Sequence, residues 1–500
     1  MESGTFVEPA AGIQVQDKGL KKNAISFVSN IVIGVASTAP AYSLAATLGG
    51  IAGFAAFGGP AIMIVAFIPM LFIAAAYYYM NRADPDCGTT FSWVTRAIGP
   101  RWGWMGGWGI IVTDVIVMPS LAAIAGQYSF QLFGNNNPST FDVTAVGVAW
   151  IVVMTAICYV GIELSARTQQ LLLGAEFVIL VIFSVVALVK VYSGTAGAHH
   201  VSASWFNPFD IKGFSNFTEG ILLAVFIYWG WDSGVTVNEE TEDSGSAPGR
   251  AAVVSTIVLV LIFVTVATAT TAFAGPALLA NNPSDVFAPI GHKVLGSGLD
   301  KLLIIAVLTS ASASTQTTIL PTARTVLSMA RSKAIPTRFG AIHPRFLSPS
   351  VATLAMGTVS TVWYVGLTLL SQNVLSDSIL ALGLGIAFYY GLTGFACSIF
   401  YRRELLNSAK NFFFIGVLPT LGGVILLALF VKSCFDLGKT GAGSTVILGI
   451  GGPLVIGLGA LIVGIPLMLL CQWRLPEFFR RRREVADSAL VAASPAGRSS

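Results

Sequence analysis

Long apolar stretches separated by short polar segments make up most of the 500-residue chain. Each stretch is long enough to cross the hydrocarbon core of a bilayer as a helix, whereas a β-barrel would show alternating segments of about ten residues. The pattern therefore predicts an all-α polytopic membrane protein with about twelve transmembrane helices. The predicted spans are 24–52, 59–80, 102–133, 142–161, 166–192, 215–238, 250–275, 299–328, 350–371, 376–400, 411–434 and 446–472.

The composition supports a membrane protein. Hydrophobic residues make up 54% of the chain and charged residues 10%, whereas soluble domains carry about 25% charged residues. We expect membrane lipid around most of the chain and no nucleic-acid partner. The segment 1–22 is polar and shows no cleavable signal peptide.

The basic residues predict how the spans are oriented. With the N-terminus inside, 22 of the 28 Lys and Arg residues fall in cytoplasmic segments and 6 in external segments. An excess of Lys and Arg is typical of cytoplasmic loops. We therefore expect a multi-pass protein of the plasma (inner) membrane with both termini in the cytoplasm.

Cysteine and histidine give no sign of a metal or cofactor. The five cysteines are scattered and lack a CxxC spacing, and the four histidines all fall in predicted loops. A membrane-bound enzyme would need a cluster of nucleophile, base or metal ligands, and intramembrane histidine is missing from the predicted spans. We expect free thiols, no metal, no cofactor and no enzymatic activity.

The stretch Phe226–Gly234 interrupts the sixth span. It holds two glycines, large aromatic residues and Asp232 within an apolar segment. Glycine weakens a helix, and a carboxylate at membrane depth is costly unless it faces protein or water. We interpret the stretch as the break of a discontinuous helix at a solute site near the bilayer midplane. A kinked packing helix with Asp232 near its cytoplasmic end is the alternative.

The first span contains a comparable interruption. Small residues precede Pro40, which cannot donate to the helix ladder and clashes with the preceding turn. An unwound segment from Gly34 to Pro40 is favoured over a simple proline kink. Spans 1 and 6 are five helices apart and run in opposite directions, which predicts a five-plus-five inverted repeat. The predicted organisation is a cytoplasmic tail at 1–23, a core at 24–400 with repeats at 24–192 and 215–400, helices 11 and 12 at 401–473, and a basic, disordered cytoplasmic tail at 474–500.

Two charged segments lie at predicted cytoplasmic ends. Glu239, Glu240, Glu242 and Asp243 form an acidic cluster after the sixth span, and the tail contains the basic run 480–483. An acidic run of this kind is ordinarily a solvated face. The basic run suits the headgroups of anionic lipids.

Four motifs, taken in order, resemble those of a known family. They are the Gly-rich break of span 1, the loop Pro85-Asp-Cys-Gly-Thr-Thr-Phe91 with its Gly-Pro-x-x-Gly sequel, Trp229-Gly-Trp-Asp232 followed by Glu239-Glu240, and Ala323–Arg331 leading to Ile335-Pro336. Together with the helix count, they make residues 24–400 similar to the amino acid–polyamine–organocation superfamily of secondary transporters. The resemblance implies an alternating-access transporter.

The resemblance also implies a binding site at the two breaks. Backbone N–H groups of the span 1 break would bind a substrate carboxylate, which agrees with the positive end of the following half-helix dipole. Carbonyl groups of the span 6 break would bind the α-ammonium group, and the aromatic residues would wall or gate the pocket and add cation–π attraction. The implied binding residues are Ala36, Ser37, Thr38, Ala39, Phe226, Ile227, Tyr228, Trp229, Gly230 and Trp231.

Three intramembrane carboxyl groups are candidates for proton coupling. Asp114 lies deep in span 3, where some relatives use an acid to recognise cationic side chains or to couple protons, and Asp232 matches a family acid linked to coupling. Glu176 departs from the family pattern, because many relatives carry at this place a Lys that occupies the position of a sodium ion. Glu176 is a candidate proton site, Na⁺ ligand or partner of a neighbouring group. Removal from water favours the neutral form of a carboxyl group, which suits a proton carrier.

The eighth span is rich in hydroxyl groups, which supply Na⁺ ligands in sodium-coupled relatives but also hydrogen-bond between membrane helices. H⁺ is therefore favoured over Na⁺ as the coupling ion. We expect a secondary active transporter of an amino acid or related amine, with an exchanger or a polyamine carrier as the alternative. A channel or a sensor on the same fold is the third possibility.

Overall fold

The computed structural model describes residues 17–283 and 285–480. Regular structure in this part of the chain is almost entirely helical, which confirms the predicted all-α class. The α-helices are α1 (Phe27–Ser37), α2 (Pro40–Ala55), α3 (Gly59–Ala83), α4 (Thr90–Ala97), α5 (Pro100–Leu132), α6 (Thr140–Val160), α7 (Ile162–Tyr192), α8 (Phe214–Ile227), α9 (Ser233–Thr236), α10 (Ala247–Ala280), α11 (Phe287–Leu295), α12 (Lys301–Arg331), α13 (Ser350–Leu370), α14 (Gln372–Phe400), α15 (Ala409–Asn411), α16 (Leu418–Leu437), α17 (Gly452–Arg474) and α18 (Pro476–Arg480).

The remaining regular elements are short. Single 3₁₀ turns lie at Ala56–Gly58, Ala203–Phe206, Pro208–Asp210, Asn238–Glu240, Thr337–Gly340 and Leu405–Asn407, and a π-helical turn at Phe412–Val417. Two-residue strands β1 (Val446–Ile447) and β2 (Ile450–Gly451) pair antiparallel, with Val446 opposite Gly451.

The helices form a multi-pass membrane protein. Ten helical stretches in the described residues have the length and hydropathy to cross a membrane. The first, Phe27–Ala83, contains α1, α2 and α3 and therefore makes two crossings, and the shorter apolar helix α8 adds one more with α9. The total of twelve crossings agrees with the number predicted from the sequence.

Both predicted breaks are present. Helix α1 ends at Ser37, and Ala39 takes the left-handed backbone conformation (φ 46°, ψ 65°) before α2 begins. Pro40 is the first residue of α2, where its missing N–H would in any case have no helical partner. Helix α8 ends at Ile227 and α9 begins at Ser233, with Gly230 at φ 116° between them. The discontinuity of spans 1 and 6 is therefore confirmed.

The two broken spans lie in the interior of the bundle. Helix α1 packs against α7, α10 and α12, whereas α2 packs against α8, α10 and α12. The short α9 packs against α1, α10 and α12. Helices α16 and α17 pack on α14 instead, away from the breaks. The breaks are thus enclosed by neighbouring helices, which satisfies the requirement that irregular backbone at membrane depth face protein.

The two ends of the bundle differ in their residues. We call the end that holds Lys18, Glu240 and Arg331 the terminal face, and the opposite end, with Tyr128 and Asp285, the distal face. Helix α18 also lies at the terminal face, where Phe478 stacks on Phe91 with ring centroids 5.6 Å apart. Residues 476–480, which belong to the tail predicted to be disordered, form this helix. Its remainder from 481 onward, like residues 1–16, lies outside the described residues.

Candidate functional site

The two helix breaks contact each other directly. The hydroxyl groups of Ser37 and Ser233 lie 2.8 Å apart. A Cβ atom on Gly230 would lie 2.8 Å from the carbonyl oxygen of Ser37, and one on Gly34 would lie 2.9 Å from the carbonyl oxygen of Trp231. Glycine at these two positions allows the backbones to approach, as small residues commonly do between membrane helices.

Helix α12 supplies hydroxyl groups to the breaks. Ser314 Oγ donates a hydrogen bond to the Ser37 carbonyl oxygen at 2.9 Å, and Ser233 Oγ donates to the Thr317 carbonyl oxygen at 3.2 Å. Further toward the distal face, Ser310 Oγ accepts from the N–H of Tyr42 at 3.2 Å. These hydroxyl groups hold the breaks in place by hydrogen bonding.

Three tyrosine hydroxyl groups surround the carboxyl group of Asp232. Tyr390 Oη donates to Oδ1 at 2.8 Å, while Tyr389 and Tyr77 donate to Oδ2 at 3.3 and 3.4 Å. Tyr390 Oη also accepts from the N–H of Gly230 at 3.3 Å. A hydroxyl group can both donate and accept a hydrogen bond. These three partners can therefore hydrogen-bond to the Asp232 carboxyl group whether or not it carries a proton.

The aromatic residues of the sixth span have different surroundings. Trp229 Nε1 donates to Tyr389 Oη at 2.5 Å and so joins the hydrogen bonds around Asp232. The ring of Trp231 packs edge-on against Tyr77, whereas the hydroxyl group of Tyr228 donates to the Met63 carbonyl oxygen. Tyr228 therefore faces α3, whereas Trp229 and Trp231 both contact tyrosines that bind Asp232.

Asp114 lies on α5 and binds α12. Its Oδ2 accepts from Thr322 Oγ1 at 2.5 Å, and the residue is 4% exposed. Thr322 follows Ser314 by eight residues, which places it about 12 Å further toward the terminal face along the helix axis.

Glu176 binds the first turn of α2. Its Oε1 accepts from the N–H of Ala41 at 2.7 Å. Its Oε2 is buried and has no hydrogen-bond partner among the described residues, and the side chain as a whole is inaccessible to solvent. Of the roles considered for Glu176, the geometry favours pairing with a neighbouring group, here the backbone N–H of Ala41 next to the span 1 break.

The N–H groups expected to bind a carboxylate are engaged within the chain. The N–H of Thr38 bonds to the Val35 carbonyl oxygen at 3.2 Å, and that of Ala39 bonds to the Ala36 carbonyl oxygen at 3.1 Å. Ala36 and Ser37 lie within α1, where N–H groups bond to the preceding turn. The unwound segment is therefore shorter than the predicted range from Gly34 to Pro40, because α1 continues to Ser37.

All predicted binding and coupling residues are buried in this structure. Phe226 and Trp229 are the most exposed at 8%, and Gly230 is also buried. A substrate bound among them would thus be shielded from both faces. The closure at each face comes from a separate set of residues.

Ion pairs close the terminal face. Lys18 Nζ lies 2.8 Å from Asp86 and 2.5 Å from Glu239, and it is 2% exposed despite its position before the first span. Arg324 binds Glu240 through Nε at 2.8 Å and Nη2 at 3.0 Å, with both side chains buried. The expectation of a solvated acidic face is wrong for Glu239 and Glu240, because each has a basic partner distant in sequence; Glu242 and Asp243 are exposed.

The charged groups of the Lys18 cluster shift one another's pKa values. Burial favours the neutral acid, but the Lys18 ammonium and the hydroxyl and N–H donors hold the pKa of Asp86 well below its usual range. Burial likewise opposes the charge of Lys18, yet the Asp86 and Glu239 carboxylates raise its pKa well above the ordinary value. Asp86, Cys87 and Glu239 bring potential metal ligands within 4.8 Å of one another, but the Lys18 ammonium already contacts both carboxylates.

A hydrogen bond and a backbone contact close the distal face. Tyr128 Oη on α5 donates to the carboxyl group of Asp285, which precedes α11. The N–H of Val286 donates to the Ala45 carbonyl oxygen on α2 at 3.1 Å. A polar cavity of about 330 Å³ lies beside this contact, lined in part by Gln131 and His292.

Sequence reasoning missed the tyrosines around Asp232 and the burial of Lys18. A signal for the first was available, since Tyr389 and Tyr390 place two hydroxyl groups in the middle of an apolar span. The second had no local signal, because Lys18 looks like any basic residue that flanks a membrane span.

Comparisons with known proteins identify related permeases. The profile of the family described as "Amino acid permease" matches residues 22–460. An uncharacterised transporter of Mycobacterium tuberculosis is 28% identical over 304 residues, which cover 58% of this chain and 63% of the relative. The chain thus spans somewhat less than two thirds of that relative's length.

Two relatives with named substrates align over longer stretches. The low-affinity putrescine importer PlaP of Escherichia coli is 22% identical over 413 residues, or 82% of this chain and 88% of the relative. The branched-chain amino acid permease BcaP of Lactococcus lactis is 22% identical over 400 residues, or 75% and 83%.

Proposed function

Because the chain belongs to the amino acid permease family of the amino acid–polyamine–organocation superfamily, we propose that it is a secondary active transporter of an organic amine or amino acid. Its similarity both to a putrescine importer and to a branched-chain amino acid permease leaves both substrate classes open. Substrate binds between the two breaks, beside Trp229, Gly230 and Asp232.

One observation carries this proposal: Ser37 contacts Gly230 and Ser233 at the two helix breaks, and separate sets of contacts cover this region at each face of the bundle. The terminal face is held by Lys18 and Arg324, and the distal face by Tyr128 with Asp285. Since no residue belongs to both sets, one face can open while the other remains shut. This independence supports alternating access.

Protons are the proposed driving ion. Asp232 lies among tyrosine hydroxyl groups that suit either protonation state, Asp114 has a single hydroxyl partner, and Glu176 has an unpartnered oxygen. None of the three carboxyl groups has a basic partner among the described residues. A proton is the smallest cation that can neutralise such a group when water is excluded.

The orientation follows from the same proposal. The terminal face, which holds Lys18 and most of the basic residues that flank the spans, is assigned to the cytoplasm by the excess of positive charge. The membrane is then the plasma (inner) membrane, and both termini are cytoplasmic. The inverted relation between 24–192 and 215–400 remains a prediction.

The test is uptake into proteoliposomes that contain the purified protein. Labelled 1,4-diaminobutane, ornithine and leucine serve as probes, with an imposed pH gradient, an imposed Na⁺ gradient or neither. We expect accumulation of at least one probe under the pH gradient and its loss in Asp232→Asn, with Asp210→Asn as the control because Asp210 is exposed. Accumulation of none of the probes, or accumulation under a Na⁺ gradient alone, would overturn the proposal.

A further inference from the structure

We infer that the substrate is an organic amine without a carboxylate group, such as a diamine, because the N–H groups of the span 1 break and of the half-helix that follows it are already bound within the protein, that of Ala41 by Glu176. This inference rests on the proposed function and names its substrate class.

The N–H groups of the break offer no free donor. Those of Thr38 and Ala39 bond back to carbonyl oxygens of α1. Pro40 has no N–H at all, although it begins the half-helix whose positive dipole end would attract an anion. A carboxylate that approached this backbone would therefore meet donors that are already engaged.

The next two N–H groups are bound by side chains. Ala41 donates to Glu176 Oε1 at 2.7 Å, and Tyr42 donates to Ser310 Oγ at 3.2 Å. Orphan N–H groups at a helix N-terminus make an anion site, and here the anion is supplied by α7 of the same chain. A second carboxylate at this position would have to displace Glu176 into an apolar interior or lie against it with the same charge.

Glu176 has a further feature that points to a cationic ligand. Its Oε2 is fully buried and has no hydrogen-bond partner among the described residues. A buried polar atom without a partner is costly, and a donor from a ligand would satisfy it. An ammonium group is such a donor and also neutralises the charge.

No buried cation is available to a substrate carboxylate. Among the described residues, Lys18 and Arg324 are the two buried basic side chains. Lys18 contacts two carboxylates, and the charge of Arg324 is balanced by Glu240 through Nε and Nη2, while its buried Nη1 has no partner in the described part of the chain and lies at the terminal face. By contrast, Asp114, Glu176 and Asp232 have no basic partner, which leaves the interior with an excess of acidic groups.

The distribution of the acids suits a ligand with more than one ammonium group. Asp232 lies at the span 6 break, Glu176 binds the first turn of α2 after the span 1 break, and Asp114 binds α12 toward the terminal face. Trp229 and Trp231 add aromatic surfaces that attract cations. These groups recognise positive charge and methylene chain, and none of them recognises a carboxylate.

The experiment compares pairs of ligands that differ only by the carboxylate. Thermal unfolding of the purified full chain is measured with 1,4-diaminobutane against ornithine, 1,5-diaminopentane against lysine, and 3-methylbutylamine against leucine, since a ligand that binds the folded state raises its apparent stability. We expect the decarboxylated member of at least one pair to give the same shift at a concentration at least tenfold lower than its amino acid.

The variant Glu176→Gln tests the residue directly. We expect it to weaken binding of the amine at least tenfold and to reduce the preference for the amine over the matching amino acid. Glu242→Gln, at an exposed position, should change neither. If Glu176→Gln does not fold, the ligand pairs on the unaltered chain decide alone. Equal or tighter binding of the amino acid in every pair that binds would overturn this inference but leave the transporter proposal standing. Binding of neither member of any pair to folded protein would overturn both.

Discussion

The hydroxyl groups of Ser37 and Ser233 lie 2.8 Å apart and join the breaks of two helices that are far apart in sequence. The same Ser37 presents its carbonyl oxygen to Ser314 on α12 and to the backbone at Gly230. The central contact therefore ties three spans together, and a change of size at one point is transmitted to the others.

Gly230→Ala should strongly impair transport. Gly230 has φ 116°, a conformation that alanine rarely adopts, and the added Cβ would lie 2.8 Å from the Ser37 carbonyl oxygen. We expect a cost of about 1–3 kcal/mol in unfolding free energy and at least a tenfold loss of uptake in proteoliposomes. Gly383→Ala is the matched control, because its Cβ would meet no atom within 4 Å. Uptake by Gly230→Ala equal to that of the control would contradict the prediction.

Tyr390→Phe should reduce uptake without unfolding the protein. The variant keeps the ring but loses the hydroxyl group that donates to Asp232 at 2.8 Å and accepts from the N–H of Gly230. A buried group left without its partner costs about 1–3 kcal/mol, and we expect a corresponding loss of roughly 5- to 150-fold in uptake rate. Tyr192→Phe, at a side chain that is 59% exposed, should be unchanged. A Tyr390→Phe protein with normal uptake would show that the contact serves packing alone.

Lys18→Met should open the terminal face. The Asp86 and Glu239 carboxylates would then face each other with no cation between them. Cys87 is buried beside this cluster, and its N–H donates to Glu239, so its reaction with a thiol reagent reports the opening. In a background where the other four cysteines are replaced, we expect labelling at least about tenfold faster, because removing one partner of a buried ion pair costs about 3–5 kcal/mol.

Lys22→Met provides the comparison for that experiment. Lys22 is exposed and pairs with the exposed Asp17, and surface pairs of this kind contribute little stability. Equal labelling rates in the two variants would mean that Lys18 does not hold the face shut.

The Lys18–Asp86 pair should stabilise the protein over a defined pH range. Because the folded-state pKa of Asp86 is depressed, its contribution is present above the ordinary Asp value and is lost as the pH falls toward the folded-state value. Because the folded-state pKa of Lys18 is raised, its contribution is present below the ordinary Lys value and is lost as the pH rises through the folded-state value. The difference in unfolding temperature between the unaltered chain and Asp86→Asn should therefore be constant near neutral pH and shrink below about pH 4. A difference that grows on acidification would refute the assignment.

Arg324 and Glu240 should behave as a coupled pair. Arg324→Met alone leaves a buried carboxylate without a partner, and Glu240→Gln alone leaves a buried guanidinium group. Each single variant should lose about 3–5 kcal/mol of stability, and the double variant should recover most of that loss. Additive losses in the double variant, measured by thermal or denaturant unfolding, would show that the two charges do not depend on each other.

The sequence predicted what depends on local chemistry. Long apolar runs can only be spans, and the glycines and Pro40 weaken a helix wherever they occur, so the spans and both breaks were predictable. The extent of the first break was overestimated, because Gly34 to Ser37 remain helical while α1 packs against α7 and α10.

Contacts between distant residues could not be predicted in the same way. Asp232 and Tyr390 are 158 positions apart, and Arg324 and Glu240 are 84 apart. Glu176 was recognisable as unusual, but its binding to the N–H of Ala41 depends on how α7 packs beside α2. The acidic run after the sixth span looked solvated because its basic partners lie on other elements.

The distance in sequence between Lys18 and Glu239 also bears on how the protein is made. These residues are 221 positions apart, and ribosomes add about 5–20 residues per second. Lys18 is therefore synthesised roughly 10 to 45 s before its partner. Until Glu239 emerges, the nascent chain cannot complete the ion cluster, so sealing of that end is a late step in biogenesis. A polypeptide stalled before residue 239 would leave Lys18 with Asp86 as its one carboxylate partner in this cluster.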